Sequence, residues 1–336
     1  MSDLYPLLLQ PDFRERPWGT RDLSPIYAQA PGENPIGEVW LTGDDNRVAN
    51  GPLAGRTLRE LCQQCGREMG GDVVRETDRF PLLIKFLFPT QKLSVQVHPD
   101  DDTARRAGLP CGKTECWYVL AAKPGAQVAL GIKPGTTRAQ FEQAIKDKRA
   151  EFLLNWVMLK PGDMIYVDAG TVHTIGPGSI LVETQQNSDT TYRLYDYGRP
   201  RELHVREGLD AMKERTRAGK VRRTGSGDPA GLIFSPCFLV NKYTLAGKES
   251  WTGASTSDWN TVHVLVALDG CGVVEATGMQ SVTFARGEAV VVPAAISRFD
   301  VRPQWELEFL AMVMPPAGTT AEPETSLEDT PVVASS

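Results

Sequence analysis

Thirty-one glycines and 24 prolines cut this 336-residue chain into short apolar runs that rarely reach helical length. Residues 82–87, 93–98, 116–121, 127–132, 163–167 and 180–184 each alternate or fill with β-branched and aromatic side chains between turn formers. Strands this short and this many predict an antiparallel sandwich or barrel. Helices are the exception. Residues 137–148 place Phe141, Ala144 and Ile145 on one side after a Pro-Gly-Thr start, and 202–216 also read as helix. A short helix is expected from Thr57, and Asp100–Asp102 is expected to cap another before Thr103.

A polar stretch at 217–230, rich in glycine and arginine, reads as a linker. It divides a larger unit, 1–216, from a second β-rich unit, 231–316, in which 261–267, 272–276 and 289–293 are the clearest strands. The last segment, 317–336, is rich in Pro, Thr and Glu and is expected to be disordered. The halves echo each other. Gly162-Asp-Met-Ile-Tyr-Val-Asp168-Ala-Gly170-Thr-Val-His173 has the spacing of Gly287-Glu-Ala-Val-Val-Val-Pro293-Ala-Ala295-Ile-Ser-Arg298. Only the first copy ends in a metal-binding type of residue.

A net charge of −6 with scattered Lys and Arg argues against nucleic acid or an anionic membrane as partner. No apolar run of spanning length and no secretion signal are evident, so a cytoplasmic enzyme is expected. The six cysteines, including Cys62 and Cys65 on one helix face, then read as free thiols.

Four histidines occur in the chain, and two fall in a suggestive set: Gln96-Val-His98, Lys113-Thr-Glu115 and His173. On strands the two-residue period puts Ser94, Gln96 and His98 on one face, and Lys113, Glu115 and Trp117 on one face of the next. Glu183 and Gln185 share a face by the same arithmetic, as do Arg193, Tyr195 and Tyr197 if that run is extended. An amide oxygen, two imidazoles and a carboxylate suit a zinc-like divalent ion. His204 and His263 are expected to lie outside the site.

The spacing resembles the split motif of the cupin barrel, with Gln96 where many cupins have a first His and Asp168 where many have Pro. Residues 91–101, 112–118, 170–178 and 183–196, together with Pro17-Trp18-Gly19 and Pro35-Ile-Gly-Glu-Val-Trp40, look like type I mannose-6-phosphate isomerase over residues 10–215. The resemblance implies a mainly β protein of two cupin (jelly-roll) barrels with a small helical connecting segment. It implies one Zn²⁺ per chain on Gln96, His98, Glu115 and His173. It also implies that Arg193, Glu183 and Lys113 are catalytic, and that Ser94, Lys113 and Arg193 bind a sugar phosphate. The general base stays open among Glu183, Lys113 and a zinc-bound water. The expected reaction interconverts mannose 6-phosphate and fructose 6-phosphate through a cis-enediol, in a monomer or homodimer. An iron-dependent cupin dioxygenase and a non-catalytic sugar-phosphate sensor are the rival readings. Gln96 and the Arg/Lys pair disfavour the first, and the intact Lys113, Glu183 and Arg193 the second.

Overall fold

A computed structural model describes residues 4–72, 79–222, 230–316 and 318–327. The chain is mainly β, in three antiparallel sheets. The first runs in the order Asp12–Thr20, Ile36–Trp40, Leu82–Leu87, Ser179–Gln186, Glu115–Ala122, Met164–Val167, Gly219–Val221 and Thr325–Ser326. Five strands form the second: Tyr192–Tyr195, Val95–Val97, His173–Ile175, Gln127–Ile132 and Leu154–Met158. The third is built on the long strands His263–Glu275 and Arg298–Val313. The mainly β expectation holds; none of these sheets closes on itself among the described residues, and the strands lie in stacked open sheets.

Packing explains the layering. One face of the first sheet presents Trp117, Val119, Ile165, Val167 and Leu181 to Val128, Leu130 and Ile175 of the second. Its other face presents Ile84, Phe86, Tyr118, Tyr166 and Val182 to Val240, Val264, Leu310 and Met312 of the third. The first sheet is therefore buried on both sides, which is why the strand Leu82–Leu87 is buried at every residue. The outer face of the second sheet is covered by the helices Arg138–Lys146 and Val205–Ala211 through Phe141, Ile145, Leu209 and Ala211.

Local expectations fare well where caps or apolar runs are strong. Thr137 caps its helix with a capping box, and Asp100 accepts the Thr103 N–H at 2.9 Å. The helix expected at 202–216 is shorter, Val205–Ala211, with His204 at its N-cap position and Gly208 packed against Leu194 and Val97. The runs 261–267 and 272–276 join into one strand, His263–Glu275, by way of bulges on either side of Asp269–Gly270.

The two ends of the chain cross over. Leu7–Leu8 pairs with Ala289–Val292 of the third sheet, and Thr325–Ser326 pairs with Gly219–Val221 at the edge of the first. The stretch read as linker thus carries a strand at 219–221, and the tail carries one at 325–326. Backbone pairing supplies the order that their polar composition does not advertise. The remainder, 223–229, 317 and 328–336, lies outside the described residues. No helix among the described residues is long and apolar enough to cross a membrane.

The echo between the halves has a structural counterpart. Gly162 and Gly287 both take positive φ, 85° and 86°, before the fully buried strands Met164–Val167 and Ala289–Val292. His173 then opens the next strand fully buried, whereas Arg298 opens its strand exposed.

Because Leu7 is fully buried in a core shared by both halves, Leu7→Ala should destabilise by about 2–5 kcal/mol. Thermal unfolding should remain a single transition at lower temperature. Two separated transitions, with one half unaffected, would contradict the shared core.

Candidate active site and metal centre

Strand register brings the expected residues together between the first two sheets. His173 and Arg193 both lie opposite Gln96, on either side of it. On the facing sheet Glu183 lies between Lys85 and Trp117, and Gln185 lies opposite Glu115. The parity expected for Ser94/Gln96/His98, for Glu115/Trp117 and for Glu183/Gln185 is the parity that lines this space. That expected for Arg193, Tyr195 and Tyr197 is not. A bulge after Arg193 sends Tyr195 to the apolar layer under the helices, and Tyr197 lies in a turn at φ 56°.

At the centre is Glu115, which is fully buried. Its Oε1 lies 3.2 Å from His173 Nε2, and its Oε2 lies 3.5 Å from His98 Nε2 and 3.2 Å from Lys113 Nζ. Neither oxygen receives an aligned hydrogen bond; the Lys113 ammonium is near but off line. The imidazoles are set by their far sides. His98 Nδ1 is 2.9 Å from the Thr190 carbonyl and His173 Nδ1 is 2.9 Å from the Thr171 carbonyl. A carbonyl can only accept, so both Nδ1 atoms carry the proton and both Nε2 lone pairs face Glu115. Burial holds His173 down to about 4 and His98 well below the usual range, so both rings are neutral near pH 7. Burial likewise raises Glu115, although Lys113 pulls the other way.

Gln96 completes the group, its amide Nε2 at 3.2 Å from His173 Nε2 and its Oε1 accepting from Ser94 Oγ at 3.2 Å. A half-turn of the amide exchanges oxygen for nitrogen at the same place. Ligand atoms of His98, Glu115 and His173 all lie within 4.8 Å of one another. The Lys113 ammonium and the Gln96 amide are the near partners of these nitrogens, and neither gives the buried carboxylate an aligned hydrogen bond; the donor set fits zinc.

A cavity of about 460 Å³ opens beside this group. Ser94, Gln96, Lys113, Glu183 and Arg193 all line it, so the expected substrate residues share one space. Glu183 is held at both oxygens, with Lys85 Nζ at 2.8 Å from Oε2 and Trp117 Nε1 donating to Oε1 at 2.9 Å. Burial opposes its ionisation, but Lys85 and then Lys113 outweigh that and hold the carboxyl below the usual range.

Several lining residues escape a reading by motif spacing. Lys85 is buried in an otherwise apolar strand and also lies 3.9 Å from Glu38 Oε2. Glu38 in turn takes Arg16 Nε at 3.1 Å and Nη2 at 3.0 Å, and Trp40 Nε1 at 2.7 Å. Arg201 lines the outer part. The signal for Lys85 was the single charge in Leu-Leu-Ile-Lys-Phe-Leu, which an alternating strand cannot bury without a partner.

A family model described as phosphomannose isomerase type I, catalytic domain, matches residues 7–131. The chain is 33% identical over 312 residues to a probable mannose-6-phosphate isomerase, GmuF, of Bacillus subtilis (strain 168), covering 88% of this chain and 96% of that protein. A crystal structure of mannose 6-phosphate isomerase from Bacillus subtilis superposes with a TM-score of 0.80 at 30% identity, over 91% of this chain and 99% of that one. Another structure, a zinc-bound mannose 6-phosphate isomerase, superposes with a TM-score of 0.73 over 91% of this chain and 98% of that one; its 17% identity speaks to the fold alone. With a near full-length relative at this identity, the chain belongs to the type I phosphomannose isomerase family of enzymes.

Proposed function

We propose that the chain is a zinc-dependent aldose–ketose isomerase that interconverts mannose 6-phosphate and fructose 6-phosphate through a cis-enediol. The observation that carries this reading is the buried Glu115 carboxylate, without an aligned hydrogen bond, between the two imidazole Nε2 atoms at the inner end of a cavity lined by Lys113, Glu183 and Arg193. Gln96, His98, Glu115 and His173 would hold one zinc ion. When bound, zinc would offer positive charge to the sugar oxygens on which negative charge develops.

The chain's own groups take the remaining roles. Isomerisation needs a proton moved between C1 and C2, and cations beside the developing enediolate. We give Arg193 the second task, a reading supported by its backbone pairing with Gln96 and its position in the cavity lining. Ser94 and Lys113 offer donors to sugar oxygens. The contacts that hold Glu183 below the usual carboxylate range weaken it as a base. We therefore give it the task of fixing Lys85 in the cavity wall, and give the proton transfer to Lys113. Its Nζ, 3.1 Å from His98 Nε2 at the inner end of the cavity, would take the proton from one carbon as the neutral amine and return it to the other as the ammonium. The half from 231 to 316 is proposed as a partner without metal, consistent with exposed Arg298 at the place of His173.

Purified protein should convert mannose 6-phosphate to fructose 6-phosphate, lose activity to a chelator and regain it with zinc. A zinc-replete sample with no turnover would sink the isomerase reading, and full activity after exhaustive chelation would sink the metal dependence. Arg193→Ala should lower kcat/KM by about 10²-fold or more; near-normal kinetics would remove it from the site. Lys113→Met should abolish exchange of the substrate's C2 hydrogen with solvent, while Glu183→Gln retains a slow exchange. The opposite pattern would return the base to Glu183.

A further inference from the structure

The cations of the cavity are not equally compensated. Arg16 is matched by Glu38 through two hydrogen bonds, and Lys85 by Glu183. Asp189, also on the cavity wall, acts on Lys85. The outer wall differs. Arg193, Arg199 and Arg201 gather around one buried carboxylate, Asp196, which is 2% exposed. Arg199 donates to it through Nε at 3.0 Å and Nη2 at 2.6 Å. Arg201 donates through Nε at 2.6 Å and Nη2 at 2.7 Å. Among the described residues Arg193 has no carboxylate among its hydrogen bonds: its Nη1 donates to the Glu202 carbonyl at 2.8 Å, and its buried Nε has no hydrogen-bond partner. Three guanidiniums meet one buried carboxylate, so the cluster keeps a net positive charge. Burial and then the charge of Arg201 press on Arg193, and Asp196 and Glu202 offset only part of this. Such a cluster repels itself unless an anion completes it.

The backbone pays to build the cluster. Tyr197 and Gly198 both take positive φ, 56° and 83°, in a turn closed by the Arg199 N–H to the Asp196 carbonyl at 3.0 Å. A bulky residue there is strained, and strain of this kind persists where the surroundings require the geometry. The turn doubles the chain back so that both arginines reach the same carboxylate. Because Nε and Nη2 of Arg201 are committed to Asp196, the guanidinium is fixed as a planar fork with Nη1 left over. Arg201 lines the cavity, as does Arg193, whose strand lies beside the metal group.

A phosphate monoester carries a charge of about −1.5 to −2 near pH 7. That suits a wall of net positive charge, and guanidinium groups suit phosphate oxygens. We propose that Arg201 binds the phosphate of the substrate at the outer end of the cavity, and that Asp196 is the positioning residue that aims it. The proposal rests on the sugar-phosphate reading above and adds to it the end of the cavity at which the phosphate sits.

The test uses zinc-loaded protein and two readouts, calorimetric titration with inorganic phosphate and steady-state kinetics with mannose 6-phosphate. Arg201→Met should weaken phosphate binding and raise KM about 10- to 100-fold, with a much smaller change in kcat. Arg201→Lys should recover part of both. Asp196→Asn should raise KM in the same sense with zinc content unchanged; should that variant fail to fold, the Arg201 pair decides alone. Phosphate affinity and KM at wild-type values in Arg201→Met would overturn the proposal. Loss of phosphate binding in Arg201→Met, where the wild type binds phosphate but fails to isomerise, would uphold the phosphate site and overturn only the isomerase reading.

Discussion

The Glu115 carboxylate, closed off from water with no aligned donor of its own, is the constraint around which the rest of the structure is arranged. Its one nearby cation, Lys113 at 3.2 Å, lies off line, and a buried carboxylate so poorly met is costly. The chain does not relieve this with a nearby hydroxyl or amide. It turns two neutral imidazoles toward the carboxylate with their protons tied to backbone carbonyls behind. A lone pair facing a carboxylate is repulsive unless a cation lies between. The site is therefore costly as a piece of core and reasonable as a metal shell, with its ligand tautomers set in advance.

That expense is tolerable because the supporting sheet is rigid. The sheet carrying Glu115 and Glu183 is packed on both faces, one toward the cavity and one toward the third sheet. The third sheet binds no part of the candidate site, yet it covers the back of the strands that aim Glu115, Glu183 and Lys85. Crossed chain ends, with Leu7–Leu8 in the third sheet and Thr325–Ser326 in the first, tie the halves into one packing unit. Toward the cavity the same sheet alternates charge: Glu38, Lys85 and Glu183 form a buried row in which each cation is held by a carboxylate. Beside the cavity, the cluster of Arg193, Arg199 and Arg201 around Asp196 keeps positive charge in reserve.

Much of the site was legible in the sequence because strand parity is a strict rule. Gln96 and His98, or Glu115 and Trp117, must share a face once their strands are accepted, and the register then aligns His173 and Arg193 with Gln96. Parity failed where a bulge intervened, at Arg193–Tyr195, since one extra residue reverses the face. Lys85 was missed for a different reason. Its strand looks like plain core, and the carboxylates that make a buried lysine possible come from positions 38 and 183. Asp196 and Arg201 were hidden because their contact depends on a positive-φ turn at Tyr197 that no propensity favours. The strand order of the sheets, crossing of the chain ends and the short strands at 219–221 and 325–326 are non-local pairings that periodicity does not report.

The central claim is that Gln96, His98, Glu115 and His173 are a metal shell before they are anything else. Zinc-edge X-ray absorption on the purified protein tests it most directly. The account predicts one zinc per chain, two imidazole ligands and oxygen donors at about 2.0–2.2 Å, with the imidazole signal reduced in His173→Ala. A spectrum dominated by sulfur at about 2.3 Å, or zinc content unchanged by loss of Glu115 and His173, would contradict it.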